Sequence, residues 1–170
     1  MLNLSSKNLV KERNIQFQIK EYTSVNELNL IYQKLIEEAE NAAHKAYAPY
    51  SSFFVGAAIL LDNNEIITGN NQENAAYPSG LCAERVALFY ANAHFPNQKV
   101  KAIAITAFIN NSTKVDEPVP PCGSCRQVIL ESQLRQNEPV TLILSGKNKI
   151  QVIEDASLLL PLHFDKEMLL

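Results

Sequence analysis

Long apolar runs are missing from this chain of 170 residues. Nothing in it approaches the roughly 18 consecutive apolar residues that cross a bilayer, so no membrane-spanning helix is expected. The first residues, Met1 to Lys7, lack a basic stretch leading into an apolar one. No secretory signal is read there, and a cytoplasmic address is expected. An excess of positive charge is missing too, with 15 Lys and Arg against 18 Asp and Glu and a net charge of -3. Proteins that grip a phosphate backbone carry a basic face, so no nucleic-acid partner is expected. Cysteine is scarce: there are three, an odd number in a chain with no export signal. That count excludes a disulfide framework and points to metal or redox chemistry. Internal repeats and low-complexity linkers are absent as well. What remains, 46% hydrophobic and 19% charged, suits one globular domain with a proper core.

Periodicity divides that domain into elements. Residues 1–13 are polar and without period, a loose arm or packing extension. Asn14 to Lys20 alternates polar and apolar, which predicts an edge strand. Ser24-Val25-Asn26-Glu27 reads as a capping box opening a long amphipathic helix, with Leu28, Tyr32, Leu35, Ala39, Ala42 and Ala46 on one face and an end before Pro49. Phe53 to Leu61 and Glu65 to Thr68 read as a hairpin around Asp62-Asn63-Asn64, since Asn tolerates positive φ. Cys82 to Ala93 and Cys122 to Leu134 are predicted helices. Lys99 to Phe108 and Val140 to Leu144 are predicted buried strands, parallel because a helix crosses between them, and Asn110 to Pro121 reads as a polar, proline-bearing connection. A short strand over Ile150 to Ile153 and a terminal segment complete the chain.

The chemistry sits in two stretches that hold every cysteine: Cys82-Ala83-Glu84-Arg85, and Pro121-Cys122-Gly123-Ser124-Cys125-Arg126. Cys122 and Cys125 lie three apart on a first helical turn and face the same way. Helix N-termini lower thiol pKa values and favour the thiolates a metal needs. Cys82, opening its own helix, supplies a third ligand if the two N-termini converge. His44, His94 and His163 show no metal-ligand spacing, so water is the economical fourth ligand on a zinc ion. Glu84, two residues beyond Cys82, is placed to take a proton from that water and pass it to a leaving group. Ala83 leaves room for a flat ligand. Arg85 is placed to donate to the thiolates and draw off their negative charge. On chemistry alone three readings stay open, with catalytic zinc favoured over a thioredoxin-like dithiol and a structural zinc site.

The pattern Cys-Ala-Glu…Pro-Cys-x-x-Cys resembles the zinc-deaminase signature. More closely, the chain resembles the small, three-cysteine cytidine deaminases of nucleoside salvage. The likeness spans roughly residues 27–165 and includes Tyr50-Ser51-Ser52-Phe53-Phe54-Val55-Gly56-Ala57-Ala58 and Asn71-Gln72-Glu73-Asn74-Ala75-Ala76-Tyr77. It implies a single-domain α/β/α sandwich on a mixed sheet of about five strands, with the N-terminal strand as an addition. Residues 1–23 would be an extension and 24–170 the deaminase domain. It implies one Zn2+ per chain on Cys82, Cys122 and Cys125, with Glu84 as proton shuttle. Asn71 and Glu73 would take a ribose hydroxyl, Phe53 would lie against the nucleoside, and the Ala83 backbone would meet the pyrimidine edge. Phe164 would reach the site of a neighbouring subunit in a homotetramer. The implied reaction is hydrolytic deamination of cytidine and deoxycytidine, in which zinc-bound hydroxide attacks C4 and Glu84 moves the protons. A modified nucleoside such as blasticidin S is the rival substrate, disfavoured by the Asn71/Glu73 pair. The chain departs from the family pattern in its N-terminal extension, at Pro78-Ser79-Gly80-Leu81 and at His163.

Overall fold

The computed structural model describes residues 11–169. It contains a seven-stranded mixed sheet: β1 (Lys20–Tyr22), β2 (Phe53–Leu61), β3 (Ile66–Asn70), β4 (Val100–Ile109), β5 (Thr113–Lys114), β6 (Thr141–Ser145) and β7 (Ile150–Ile153). The order is β1-β7-β6-β4-β2-β3, with β5 paired to β4. Only β4 and β6 run parallel, as the helix between them requires, and all other pairs are antiparallel. Without β1 and the two-residue β5, five strands carry the domain, as the family resemblance implies.

Alternation along the strands builds two apolar layers. Ala57, Ile59, Leu61, Ile103, Ile105, Leu142 and Leu144 point to one face, where helices α2 (Ala83–His94) and α3 (Gly123–Gln136) cover them. Ala58, Leu60, Ala102, Ala104 and Ile143 point to the other, under helix α1 (Leu30–Ala43). Both faces are therefore buried, which is why β4 reads as a nearly continuous apolar run. Each Ile or Leu removed from water here contributes about 1.5–3 kcal/mol. The α1 face is lined with alanines because the helix lies close. A Cβ on Gly56 would fall 1.9 Å from the Ala39 carbonyl oxygen.

Three expectations need correction. The strand predicted over Asn14 to Lys20 begins only at Lys20. In the observed register Lys20 faces Val152, so Gln18 would face Glu154, past the last residue of β7. The partner strand has run out. The Ser24 capping box does form, but it closes a single 3-10 turn over Val25–Glu27, ended by extended Leu28. Asn29 then caps α1 separately, accepting from the Tyr32 amide at 2.9 Å. A second hairpin, β4 to β5, turns on Asn110 and Asn111 at φ 51 and 55, inside a stretch expected to be plain connection. Most of the arm read over residues 1–13 lies outside the described residues. Of it, Lys11, Glu12 and Arg13 are exposed and without regular structure.

A three-thiol centre at paired helix N-termini

Helices α2 and α3 lie on the same face of the sheet, and their first turns meet. Cys82 is the N-cap residue of α2 and Cys122 that of α3, yet neither side chain makes a capping bond. N-caps ordinarily bind a free helix amide; these two thiols are directed at each other instead. Cys82 Sγ lies 3.8 Å from Cys122 Sγ, which lies 3.5 Å from Cys125 Sγ, and the three fall within 4.8 Å of one another. Zinc–sulfur bonds of about 2.3 Å at tetrahedral angles put the sulfurs roughly 3.8 Å apart. The donor set and its spacing fit a zinc ion on three cysteines. Cys125 is buried, Cys82 half-buried and Cys122 exposed, so the cluster opens to one side.

Close contact with the Cys125 thiol draws the Cys82 pKa down to about 5, against the cost of burial and with help from Arg85 and Cys122. The Cys125 thiol is pushed up by the Cys82 thiolate and by burial. Metal binding would release the protons the thiols still carry. Arg85 Nη2 stands 3.5 Å from Cys82 Sγ, the contact expected of a residue that draws charge from a thiolate. Its Nε is buried with no partner.

Glu84 follows on the first turn of α2 and is only 4% exposed. Burial pushes its carboxyl above the usual range, opposed by its own backbone amide. Cys82, Cys122, Glu84 and Arg85 line a cavity of about 780 Å³. Sites for small molecules span about 300–1,000 Å³. The same cavity is lined by Phe53, Asn71 and Glu73, which the fold brings together from the start of β2 and the loop after β3. The Asn71 side chain donates to the Phe53 carbonyl at 2.9 Å and accepts from the Val55 amide at 2.7 Å. Glu73 accepts from the Ser51 hydroxyl and from the amides of Tyr50 and Ser51. These bonds, the hydroxyl's first, hold its carboxyl below the usual range.

Two predicted residues are absent from the cavity wall. The Ala83 side chain is fully buried in the core rather than facing the cavity, so only its backbone remains to meet a ligand. Phe164 is 59% exposed and absent from the cavity wall, its carbonyl accepting from Gln127 Nε2 at 2.8 Å. Several wall residues were not singled out from the sequence, among them Tyr50, Ile105, Val119 and Pro120. Val119 and Pro120 belong to a proline-bearing connection with no periodic signal. His44 is exposed, bonded to Asn111 and packed on Phe108, far from any ligand role.

Three thiols spaced for zinc beside a buried carboxyl, lining a small-molecule cavity, are the parts of a metal-dependent hydrolytic enzyme. Comparison with known proteins narrows that class. Residues 31–138 match the family model described as the cytidine and deoxycytidylate deaminase zinc-binding region. A cytidine deaminase of Halalkalibacterium halodurans is 50% identical over 99 residues, covering 58% of this chain and 70% of that protein. One from Sporosarcina psychrophila is 46% identical over 99 residues, covering 58% and 68%. Among solved structures, cytidine deaminase from Burkholderia pseudomallei superposes with a TM-score of 0.66 at 37% identity, covering 78% of this chain and 98% of that one. The chain belongs to the cytidine and deoxycytidylate deaminase family. Membership brings the enzyme class, a zinc-dependent deaminase, and its cofactor, Zn2+ on Cys82, Cys122 and Cys125.

Proposed function

We propose that this chain deaminates cytidine and deoxycytidine hydrolytically, releasing ammonia and leaving uridine and deoxyuridine, as a step of pyrimidine salvage. The observation that carries the proposal is the buried Glu84 beside the thiol triad, in a cavity that Asn71 and Glu73 also line. When bound to the triad, Zn2+ supplies a Lewis acid that activates water at neutral pH. Glu84 accepts the first proton of the water that adds to C4 of the base and gives it to N3, then accepts the second from the C4 hydroxyl and gives it to the departing amino group. A carboxyl raised by burial suits both halves of that task, since it takes a proton readily and can return it. Arg85, donating to Cys82 Sγ, spreads the negative charge of the thiolates.

Asn71, Glu73 and Phe53 orient the nucleoside. Asn71 keeps one amide hydrogen beyond its bond to Phe53. That hydrogen and the ionised Glu73 are the polar contacts for a sugar hydroxyl, and the Phe53 ring lies along the nucleoside. The Ala83 backbone meets the edge of the base. Phe164 completes the site of a neighbouring subunit within a homotetramer. Its exposure outside its own cavity supports this. The deaminase domain comprises residues 24–170. Residues 1–23 are an extension whose β1 pairs with β7 and takes over the sheet edge. The protein acts in the cytoplasm on free nucleosides rather than on nucleic acid, in keeping with its net charge of -3. No helix among the described residues is long and apolar enough to cross a membrane.

The test is Glu84→Ala, assayed by loss of cytidine absorbance and by zinc analysis. The variant should keep its fold and its metal while turnover falls by about 10²–10⁴ or more. Retention of most of the activity would remove Glu84 from the reaction.

A further inference from the structure

A chain of hydrogen bonds runs behind the sugar end of the cavity, and Ser51 stands in its middle. The Ser51 hydroxyl donates to Glu73 Oε1 at 2.5 Å and accepts from the Phe53 amide at 3.0 Å. The other carboxylate oxygen accepts from the Tyr50 amide at 2.8 Å and the Ser51 amide at 3.3 Å. Asn71 grips the same backbone from the far side, at Phe53 and Val55. The side chains of Asn71 and Glu73 are thus tied to one stretch, residues 50–55. Its bend is made by Ser52 at φ 55, a left-handed conformation that costs a non-glycine residue free energy. The bend is held at both ends: the Ser52 amide donates to the Ala48 carbonyl, and its own carbonyl accepts from the Asn110 amide.

We infer that Ser51 is a positioning residue for sugar recognition, fixing the Glu73 carboxylate in one orientation and linking it to Phe53. The inference deepens the function proposed above and rests on Glu73 meeting the sugar. An ionised carboxylate offers about four lone-pair sites. The Ser51 hydroxyl and two amides occupy three, which leaves one for a substrate hydroxyl. A carboxylate whose one remaining lone pair is aimed in this way favours a substrate bearing that hydroxyl over an analogue lacking it. Without the Ser51 hydroxyl the carboxylate regains freedom to turn, and the Phe53 amide loses its acceptor.

The experiment compares Ser51→Ala, Ser51→Thr, Glu73→Gln and the Ser51→Ala/Glu73→Gln double variant in the full-length zinc protein, with cytidine and 2′,3′-dideoxycytidine as substrates. Melting temperature and zinc content confirm that each variant is folded. Ser51→Ala should raise KM for cytidine about tenfold while leaving kcat within about twofold of its original value. KM for the dideoxy substrate should not move, Thr should restore the cytidine value, and Ser51→Ala should add nothing once Glu73 is Gln. Equal losses on both substrates, or a full additional loss in the double variant, would overturn the inference in favour of a purely structural Ser51. A large Glu73→Gln effect with none from Ser51→Ala removes Ser51 alone and leaves the sugar reading of Glu73 intact. If Glu73→Gln leaves cytidine KM unchanged, both fall.

Discussion

Gly69 is remote from the chemistry by residue type, yet replacing it with alanine should disable the zinc site. Gly69 lies on β3 where α2 crosses the sheet. A Cβ there would sit 2.6 Å from the carbonyl oxygen of Ala83 and 2.6 Å from the amide nitrogen of Ala87. Ordinary contact begins near 3.4 Å, so the first turn of α2 must retreat by about 0.8 Å. Both obstructing atoms are backbone, and no rotamer change can relieve them. Ala83 lies between Cys82 and Glu84, so the displacement carries a zinc ligand and the proton shuttle with it. Metal–ligand distances tolerate only about 0.2 Å. Overpacking of this kind costs about 1–3 kcal/mol, which for a chain of this size lowers the melting temperature by roughly 2–12 °C. Gly123→Ala is the matched control. It falls between Cys122 and Cys125, but its added Cβ meets nothing within 4 Å. Zinc retention against a graded chelator, read beside thermal melting, should show Gly69→Ala losing metal early and melting low while Gly123→Ala behaves as the parent. A Gly69→Ala protein with unchanged chelator resistance and melting point would refute the reasoning.

Replacing Arg85 with Gln should weaken zinc affinity or turnover by about 10–100-fold, the usual cost of losing a partner behind the metal ligands; unchanged values in a chelator competition and a rate assay would remove its proposed role. If Phe164 completes a neighbour's site, Phe164→Ala protein and Glu84→Ala protein, each weak alone, should regain activity when dissociated and reassembled together. No recovery from verified mixed assemblies would place Phe164 outside the site. Glu138 gives a pH test. Its carboxyl is held down to about 2 by the Lys99 ammonium first and then Lys101. A carboxyl lowered in the folded state adds stability above its ordinary value near 4.5, and that addition disappears as pH falls towards 2. Glu138→Gln should therefore melt slightly lower than the parent at neutral pH, with the gap closing in acid and shrinking in salt. A gap independent of pH would contradict the ion-pair origin.

Much of the centre was legible because its residues are chemically conspicuous. Cys82, Cys122, Cys125 and Glu84 declare themselves by type and spacing, and helix periodicity placed all three thiols near helix starts. Convergence of the two N-termini was less accessible. It depends on Gly69 letting α2 lie close to β3, and a lone glycine in a strand carries many meanings. The core strands emerged from apolar runs and alternation, whereas edges and turns followed tertiary rules. Asn14 to Lys20 has strand periodicity but too short a partner in β7. The Ser24 box formed as read and capped a shorter element, because Asn29 competes as a second N-cap five residues on. Ser51 shows the limit most clearly. A serine in a polar stretch between Pro49 and Phe53 carries no signal of its own until Glu73, 22 residues away in sequence, is seen to fold against it.

The central claim is that zinc on three cysteines, with Glu84 beside it, hydrolyses the amino group of cytidine. Ammonia release from cytidine, measured on protein reconstituted with graded zinc and analysed for metal in the same samples, tests it most directly. Ammonia should match uridine mole for mole, at a rate that rises with zinc content and levels off near one ion per chain. Full zinc occupancy with no ammonia from cytidine, or equal release from metal-free protein, would contradict it.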